Sequence, residues 1–227
     1  MLLEKDNAAA QQAVPSDIVD AVFAISCRSL PVDHAYALSQ AIQATLPWFA
    51  EEPAAGLHTV YGAASASGWM RPEGADALLQ LSQRAKLALR LPRRRLDDAA
   101  ALLGRTLQVA GWPLRVDKLA VRPLSRITTL FSRCVVLAAE GDEAAFLAAA
   151  AGELGALGIQ PGTMLCGRVT PVATPARTYQ TRSLMLAGLA PEQSLALQRQ
   201  GLGAERKLGC GLFIPHKDIG DLRSRPD

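Results

Sequence analysis

The sequence has few aromatic residues and few histidines. Aromatic residues make up 5% of the 227 residues, so binding of single-stranded bases by broad aromatic stacking is not favoured. The three histidines, His34, His58 and His216, are scattered and have no supporting carboxylates at ligand spacing, which argues against a metal site. We therefore expect neither a metal nor another cofactor.

Closely spaced cysteines and long hydrophobic runs are also missing. The four cysteines form no C-x-x-C pair, and three of them sit in apolar or strand-like runs, which favours buried free thiols in a reducing compartment. Cys210, between two glycines, is expected to be more exposed. No apolar run reaches the length of a membrane helix, and the N-terminus lacks a signal-peptide pattern. We therefore expect a cytoplasmic protein without membrane contact.

Neither sign of charge dominates the chain. It has 24 basic and 21 acidic residues, and its formal net charge is only +3. Net charge bears on solubility rather than on fold, so the distribution is more informative. Basic residues cluster at 90–95, at 206–207 and near the C-terminus, and such clusters can present one basic face to a polyanion.

The order of the predicted elements repeats along the chain. Residues 1–15 are polar and alanine-rich and are predicted to be disordered. Residues 16–118 and 119–227 each give the order strand, helix, strand, strand, helix, strand. Two βαββαβ units predict an α+β protein with two tandem ferredoxin-like, or RRM-like, halves and a C-terminal glycine-rich loop.

Three local predictions bear on the site. Asp33 is predicted to cap a helix that carries Ala35 and Leu38 on its buried face. The alternation in KLALRL (residues 86–91) predicts a half-buried strand. Residues 210–214 are predicted to form the last strand.

The glycine-rich loop, residues 201–215, reads GLGAERKLGCGLFIP. Its glycines permit positive φ and close approach of a ligand. Exposed amides beside Arg206 and Lys207 would favour phosphate binding. The glycines in question are Gly201, Gly203, Gly209 and Gly211.

Two nucleotide-binding motifs also contain glycine-rich loops, but each requires residues that this loop lacks. A Walker loop needs Ser or Thr after its lysine, but Leu208 follows Lys207. A dinucleotide fingerprint needs a third glycine where Arg206 stands, and it lies between a strand and a helix rather than between a helix and a strand. The remaining alternative is a connector whose glycines only cap a helix.

Two segments resemble one family. The loop and its tail, GLGAERKLGCGLFIPHK, resemble the C-terminal motif of the CRISPR-associated repeat-processing endoribonucleases of the RAMP superfamily. The segment LPVDHAYALSQAI resembles the first-helix region of that family, particularly its MYXAN-type members. The resemblance implies cleavage of precursor CRISPR RNA within each repeat. It also implies that the product stem-loop stays bound and passes to other subunits of an interference complex.

The resemblance implies that His34 is catalytic, because its position matches the family's first-helix histidine. RNA is cut without metal when a base deprotonates the 2′-hydroxyl and an acid protonates the leaving 5′-oxygen, which gives a 2′,3′-cyclic phosphate. Histidine suits either role. His58 and Lys207 are candidates to assist. The alternatives are a surface histidine near a helix start for His34 and a strand-surface histidine for His58.

Further basic residues are candidates for RNA contact, because proteins bind RNA stems mainly through phosphates and shape. Arg93 and Arg94 follow a predicted strand, where a solvated turn is the alternative. Arg122, Arg126 and Arg133 flank the junction of the halves, where a basic groove can form. Arg126 is preferred to Arg133, which is predicted to lie on a strand. His216 is a candidate for RNA contact, and plain solvent exposure is its alternative.

Three classes of function remain open from the sequence. The first is a metal-independent endoribonuclease that acts on CRISPR repeat RNA. The second is a non-cleaving RNA-binding subunit of a CRISPR ribonucleoprotein, in which His34 is idle. The third is a small-molecule enzyme or regulatory domain on the same scaffold, because a fold does not fix a function.

Overall fold

The structure is a computed structural model that describes residues 17–61, 72, 77–138 and 142–216. The segment predicted to be disordered, residues 1–15, lies outside the described residues. No helix in the described ranges is long and apolar enough to span a membrane.

The first half combines one large sheet with helices on one of its faces. Its strands are β1 (Ile18–Ser26), β2 (Ser29–Pro31), β3 (Gly56–His58), β4 (Leu78–Gln80), β5 (Lys86–Pro92), β6 (Thr106–Val109) and β7 (Trp112–Pro123). Its helices are α1 (Ala35–Thr45), α2 (Trp48–Glu51) and α3 (Leu96–Ala99). Short 3₁₀ turns at 93–95 and 100–102 flank α3.

The large sheet is antiparallel, with the strand order β3-β5-β1-β7-β6. Alternate residues of β1, such as Ala21 and Phe23, bury one face of this sheet against Leu38 and Ile42 of α1. The spacing of these α1 residues places them on one face of the helix, as the sequence predicts. Strands β2 and β4 pair separately as a small sheet.

The second half repeats this topology. Its elements are β8 (Leu130–Val135), α4 (Glu143–Ala156), β9 (Thr163–Ala173), β10 (Thr178–Ala187), α5 (Pro191–Gln200) and β11 (Ile214–Pro215). Its sheet has the order β11-β8-β10-β9, which is the fourth, first, third and second strand of a βαββαβ unit. Strands β7, β1, β5 and β3 have the same order in the first half. The prediction of tandem ferredoxin-like halves is confirmed.

Two strand boundaries differ from the predicted ones. Strand β7 pairs with β1 as far as Pro123, so the domain boundary predicted between residues 118 and 119 falls inside this strand. The chain changes sheets between Pro123 and Leu130. The last strand was predicted at 210–214 and contains only Ile214–Pro215, because the preceding residues belong to an irregular segment that packs between the halves.

The second half covers the outer face of the first sheet. Strand β5 was predicted to be half-buried, and it is buried from Leu87 to Pro92. Arg90 lies on the face opposite the helices, where its Nη1 atom donates to the carbonyls of Gln198 and Phe213, at 2.8 Å each. Both faces of this strand are therefore covered.

Apolar residues from both halves also meet beside the start of α1. Cys210 packs there with Ala35, Cys134 and Leu208. Its exposed fraction is 0%, so the expectation of an exposed thiol was wrong. Asp33 does not cap α1 as predicted, because its carboxylate accepts a hydrogen bond from the Ala173 amide of the second half at 3.1 Å.

Candidate active site

The glycine-rich loop packs closely against the end of β3. The four glycines predicted to permit positive φ all adopt it, with values between 69° and 87°. At Gly209, a Cβ atom would lie 2.7 Å from Thr59 Cγ2 and 3.1 Å from the Leu57 carbonyl oxygen. A side chain at this position would therefore push the loop away from β3.

The amides of these four glycines donate within the protein. The amide of Gly203 donates to the Glu153 carboxylate at 3.1 Å, and that of Gly211 donates to the Cys134 carbonyl at 2.7 Å. The expectation that these four amides are free to bind a phosphate was therefore wrong, while RNA contact by the four glycines stays a prediction. The glycines instead allow the loop to pack against both halves.

The two cations of the loop point toward the first half. Lys207 Nζ donates to the carbonyls of Glu52 and Ala55, at 2.5 and 2.8 Å. Arg206 Nη2 donates to the Ala54 carbonyl at 3.1 Å. Burial, followed by the charge of Arg206, lowers the pKa of Lys207 to about 8. These contacts fasten the loop to the turn after α2, and the RNA-binding role of both residues stays a prediction.

His34 occupies the N-cap position of α1 and is 3% exposed. Its Nε2 atom accepts a hydrogen bond from the Val60 amide at 3.1 Å, and its Nδ1 atom lies 2.8 Å from the Pro31 carbonyl. An amide can donate only to an unprotonated ring nitrogen, so this network assigns the proton to Nδ1. Both ring nitrogens are therefore bonded to backbone groups in this structure. The catalytic role of His34 stays a prediction.

A cavity of about 140 Å³ lies between the two halves, beside the end of β3. Thr59 and Tyr61 line both this cavity and a smaller pocket that His34 lines. We call the larger one the inter-half cavity. Its floor includes Gly209, Leu212 and Ile214 of the glycine-rich loop. The polar residues that line it are His58, Thr59, Tyr61, Arg122 and Arg133.

A buried carboxylate lies beside this cavity. Asp20 of β1 stands directly between Arg90 of β5 and Arg122 of β7 in the sheet register. Arg90 contacts both carboxylate oxygens, at 2.8 and 3.2 Å, and Arg122 Nη2 lies 3.2 Å from Oδ2. Burial alone would raise the pKa of Asp20, but Arg90 and His58 outweigh it and hold the pKa well below its usual range. Asp20 is therefore an anion that cannot turn freely.

His58 joins this network from β3. Its Nε2 atom lies 3.4 Å from Asp20 Oδ1, and its side chain is 16% exposed. Burial lowers the pKa of His58 below its usual value, although Asp20 opposes this effect. The imidazole on the cavity wall is therefore neutral at pH 7 and can accept a proton.

The opposite wall of the inter-half cavity comes from β8. The guanidinium of Arg133 lies 3.9 Å from the centre of the Tyr61 ring, a cation–π contact. The Thr59 hydroxyl donates to the Tyr61 oxygen at 2.5 Å, and burial raises the pKa of Tyr61 well above its usual value. Tyr61 is therefore an uncharged phenol, and each half contributes one arginine to the cavity.

Comparison with known proteins identifies the family. A sequence profile described as Cas6 Crispr matches residues 19–218. The CRISPR-associated endonuclease Cas6 of Myxococcus xanthus (strain DK1622) is 34% identical over 197 residues, which are 87% of this chain and 81% of that protein. This chain belongs to the Cas6 family.

Solved structures agree on the Cas6 fold. A CRISPR-associated protein Cas6 aligns with a TM-score of 0.58 and 11% identity, over 88% of this chain and 99% of its own. A RAMP protein that binds different RNA substrates aligns with a TM-score of 0.59 and 11% identity, over 86% of this chain and 98% of its own. At these identities the likeness concerns the fold alone.

The remaining basic candidates lie outside the lining of the inter-half cavity. Arg93 is exposed, and Arg94 pairs with Glu52 at 2.5 Å. Arg126 was preferred to Arg133 as an RNA contact, but it pairs with Glu192 at 3.3 Å, whereas Arg122 and Arg133 line the cavity. RNA contact by Arg93, Arg94 and Arg126 stays a prediction.

His216 follows β11 and is exposed. Its ring centre lies 5.7 Å from that of Phe131, which lines the inter-half cavity, so His216 lies near the cavity rim. Its predicted RNA contact stays a prediction. Among the residues that the structure describes, no group of three or more His, Cys, Asp or Glu side chains is arranged to hold a metal ion.

Sequence reasoning missed two residues of the site. Asp20 interrupts the apolar strand IVDAVFAIS, and a carboxylate in such a strand indicates a buried ionic partner. The sequence therefore contained a signal for Asp20. Tyr61 had no comparable signal, because its place beside Arg133 depends on how the two halves dock.

Proposed function

We propose that this member of the Cas6 family cleaves CRISPR repeat RNA in the inter-half cavity and so converts precursor CRISPR RNA into guide RNA. The observation that carries the proposal is the set of His58, Arg122 and Arg133 around one cavity. The likeness to the Myxococcus xanthus endonuclease over 87% of the chain supports a nuclease.

The arginines of the cavity suit a phosphodiester substrate. Arg122 extends from the first half and Arg133 from the second. Guanidinium groups donate several hydrogen bonds in one plane and match phosphate oxygens well. An RNA strand that meets both arginines would contact both halves at once.

We propose that cleavage needs no metal ion. Attack by the 2′-hydroxyl on the adjacent phosphate requires proton transfer and stabilisation of the extra negative charge. A neutral imidazole and two guanidinium groups supply these functions at one place. The products would be a 2′,3′-cyclic phosphate and a 5′-hydroxyl.

The resemblance to the family implies that His34 takes part in the proton transfer. For Nε2 of His34 to accept a proton, the Val60 amide must first release it. The His34→Ala variant tests this role. Retention of the product stem-loop and transfer to other subunits of an interference complex also stay predictions.

The test is cleavage of labelled repeat RNA in EDTA, with analysis of the product ends. We expect cleavage with a 2′,3′-cyclic phosphate end. A matched RNA with one 2′-deoxy substitution at the scissile nucleotide should bind equally well and remain intact. Cleavage of the 2′-deoxy RNA, or cleavage only when a metal is added, would contradict the proposed mechanism. Binding without cleavage of either RNA would favour the non-cleaving subunit.

A further inference from the structure

Tyr61 contacts both parts of the candidate site. It follows β3 in the first half, and it lines the inter-half cavity as well as the smaller pocket around His34. The guanidinium of Arg133, from β8 of the second half, lies 3.9 Å from the centre of its ring. An aromatic ring of the first half therefore meets an arginine of the second half at the wall that the cavity and the His34 pocket share.

We propose that Tyr61 is a positioning residue for RNA cleavage: its ring holds the guanidinium of Arg133 against the first half, where Arg133 stabilises the scissile phosphate. This inference rests on the proposed function, because it names the residue that keeps one of the two arginines of the cavity in place. In this role Tyr61 acts through Arg133 and transfers no proton itself.

The ring of Tyr61 is itself held at two points. The Thr59 hydroxyl donates to its oxygen at 2.5 Å. The amide of the intervening Val60 donates to Nε2 of His34 at 3.1 Å, so the backbone of this segment is tied to the start of α1. Because both its hydroxyl and its backbone are held, the ring can support Arg133 in one position.

An uncharged ring suits this role better than an acidic side chain would. Burial raises the pKa of Tyr61 well above its usual value, so the phenol stays neutral. A neutral ring attracts the guanidinium through its π electrons and leaves the positive charge of Arg133 to act on a phosphate. A carboxylate at this place would neutralise much of that charge.

The two arginines of the cavity are held by different kinds of partner. Arg122 Nη2 lies 3.2 Å from a carboxylate oxygen of Asp20. Arg133 lies against two rings, 3.9 Å from the centre of Tyr61 and 5.8 Å from that of Phe131. Because both supports come from the protein itself, the positive charges are in position before negative charge builds up on the phosphate.

Loss of the Tyr61 ring should therefore slow cleavage more than it weakens binding. Without the ring, Arg133 keeps its charge and still attracts RNA, but its side chain must lose conformational freedom each time it contacts the phosphate. Stabilisation of a transition state depends on donors that are already oriented. Replacement of Arg133 itself removes the charge, so its effect on the rate should be larger.

The experiment measures single-turnover cleavage of labelled repeat RNA at saturating protein, the affinity for 2′-deoxy repeat RNA and the melting temperature. Tyr61→Phe keeps the ring, and Tyr61→Leu removes it. Tyr61→Met is a second variant without a ring, because its flexible side chain fills part of the space that the ring leaves. Arg133→Gln is made alone and together with Tyr61→Leu, which completes a double-mutant cycle.

Trp112→Leu is the matched control for the loss of an aromatic ring. Trp112 is half-buried and packs on the core of the first half. It lies at the start of β7, on the hairpin with β6, at the opposite edge of the sheet from β3. We expect Trp112→Leu to lower the melting temperature and to keep the wild-type cleavage rate.

We expect Tyr61→Leu and Tyr61→Met to lose about tenfold in rate, and Arg133→Gln to lose about 100-fold. The affinity of the two Tyr61 variants for 2′-deoxy RNA should change by less than about threefold, because Arg133 keeps its charge. Tyr61→Phe should cleave within about threefold of the wild-type rate, since it keeps the cation–π contact. In the Arg133→Gln background, Tyr61→Leu should change the rate by less than about twofold, because no guanidinium is left to hold.

Three results would overturn the inference. The first is a tenfold loss from Tyr61→Leu in both backgrounds, since the two residues would then act independently. The second is a Tyr61→Phe variant as slow as Tyr61→Leu, and the third is a variant without the ring that cleaves at the wild-type rate. If the wild type itself does not cleave repeat RNA, the proposed function fails and this inference fails with it. A wild type that cleaves, with any of the three results, overturns this inference alone.

Discussion

The interface between the two halves has a closed part and an open part, and arginine serves differently in each. In the closed part, Arg90 is 0% exposed and donates to Asp20 and to two carbonyls of the second half. In the open part, the Arg122 side chain is 58% exposed and lines the inter-half cavity, although it contacts the same carboxylate. The comparison shows that a cation surrounded by protein acceptors joins the halves, while one beside a cavity can still meet a phosphate.

The largest effect should come from breaking the closed part at Arg90. Arg90→Met leaves the Asp20 carboxylate without its main buried partner, so the free energy of unfolding should fall by about 3–5 kcal/mol. Urea denaturation measures this loss. Arg126→Met, which removes an exposed pair with Glu192, should cost less than about 1 kcal/mol. Equal stability of the two variants would contradict the distinction between a buried and an exposed arginine.

The glycine-rich loop offers a second way to weaken the interface between the two halves. Gly209→Ala requires an alanine at a φ of 87°, with its Cβ against Thr59 and Leu57, so we expect a loss of about 2 kcal/mol. Gly152→Ala is the matched control, because Gly152 lies inside α4 and a Cβ there meets nothing within 4 Å. The control should gain up to about 1 kcal/mol. Thermal or urea unfolding of both variants gives the comparison.

A substitution in the open part should change the affinity for RNA more than the stability of the fold. Arg133→Gln should weaken RNA binding and reduce the slope of log K against log salt by about 0.7–0.9, which is the loss of one phosphate contact. Its melting temperature should fall by only about 2–4 °C, because the cation–π contact with Tyr61 contributes about 1 kcal/mol. Arg105→Gln, at an exposed position before β6, should leave the slope unchanged. An unchanged slope in Arg133→Gln would remove Arg133 from the proposed RNA site.

The smallest effect concerns stability at mildly acidic pH. The pKa of His58 is lower in the folded chain than its usual value, so the unfolded chain takes up a proton first as the pH falls. This contribution to stability is complete above about pH 6.5 and is lost as the pH falls through the folded pKa. From pH 7.5 to pH 5, the wild type should therefore lose more stability than His58→Gln. Urea titrations at the two pH values measure the free energy of unfolding. Equal losses in the wild type and in His58→Gln would contradict the lowered pKa of His58.

The sequence was sufficient to predict the fold, because the fold follows from local patterns and from their repetition along the chain. Alternation in β1, the apolar spacing in α1 and the proline at the start of α5 each predict an element that the structure contains. The repeated order of elements then predicts two ferredoxin-like halves. None of these inferences requires knowledge of how the halves dock.

Docking explains where sequence reasoning about the site failed. The outer face of β5 looked exposed because the second half that covers it lies more than 100 residues away in sequence. The amides and cations of the glycine-rich loop looked ready for phosphate, because their partners elsewhere in the fold, such as Glu153 and Ala55, cannot be found from spacing. His34 could be placed on a helix, but its bond to the Val60 amide could not.

The most direct test of the central claim is the structure of this protein with repeat RNA that carries a 2′-deoxy substitution at the scissile nucleotide. We expect the scissile phosphate in the inter-half cavity, within hydrogen-bonding distance of Arg122 or Arg133. A scissile phosphate on another surface, such as that around Arg93 and Arg94, would contradict the account.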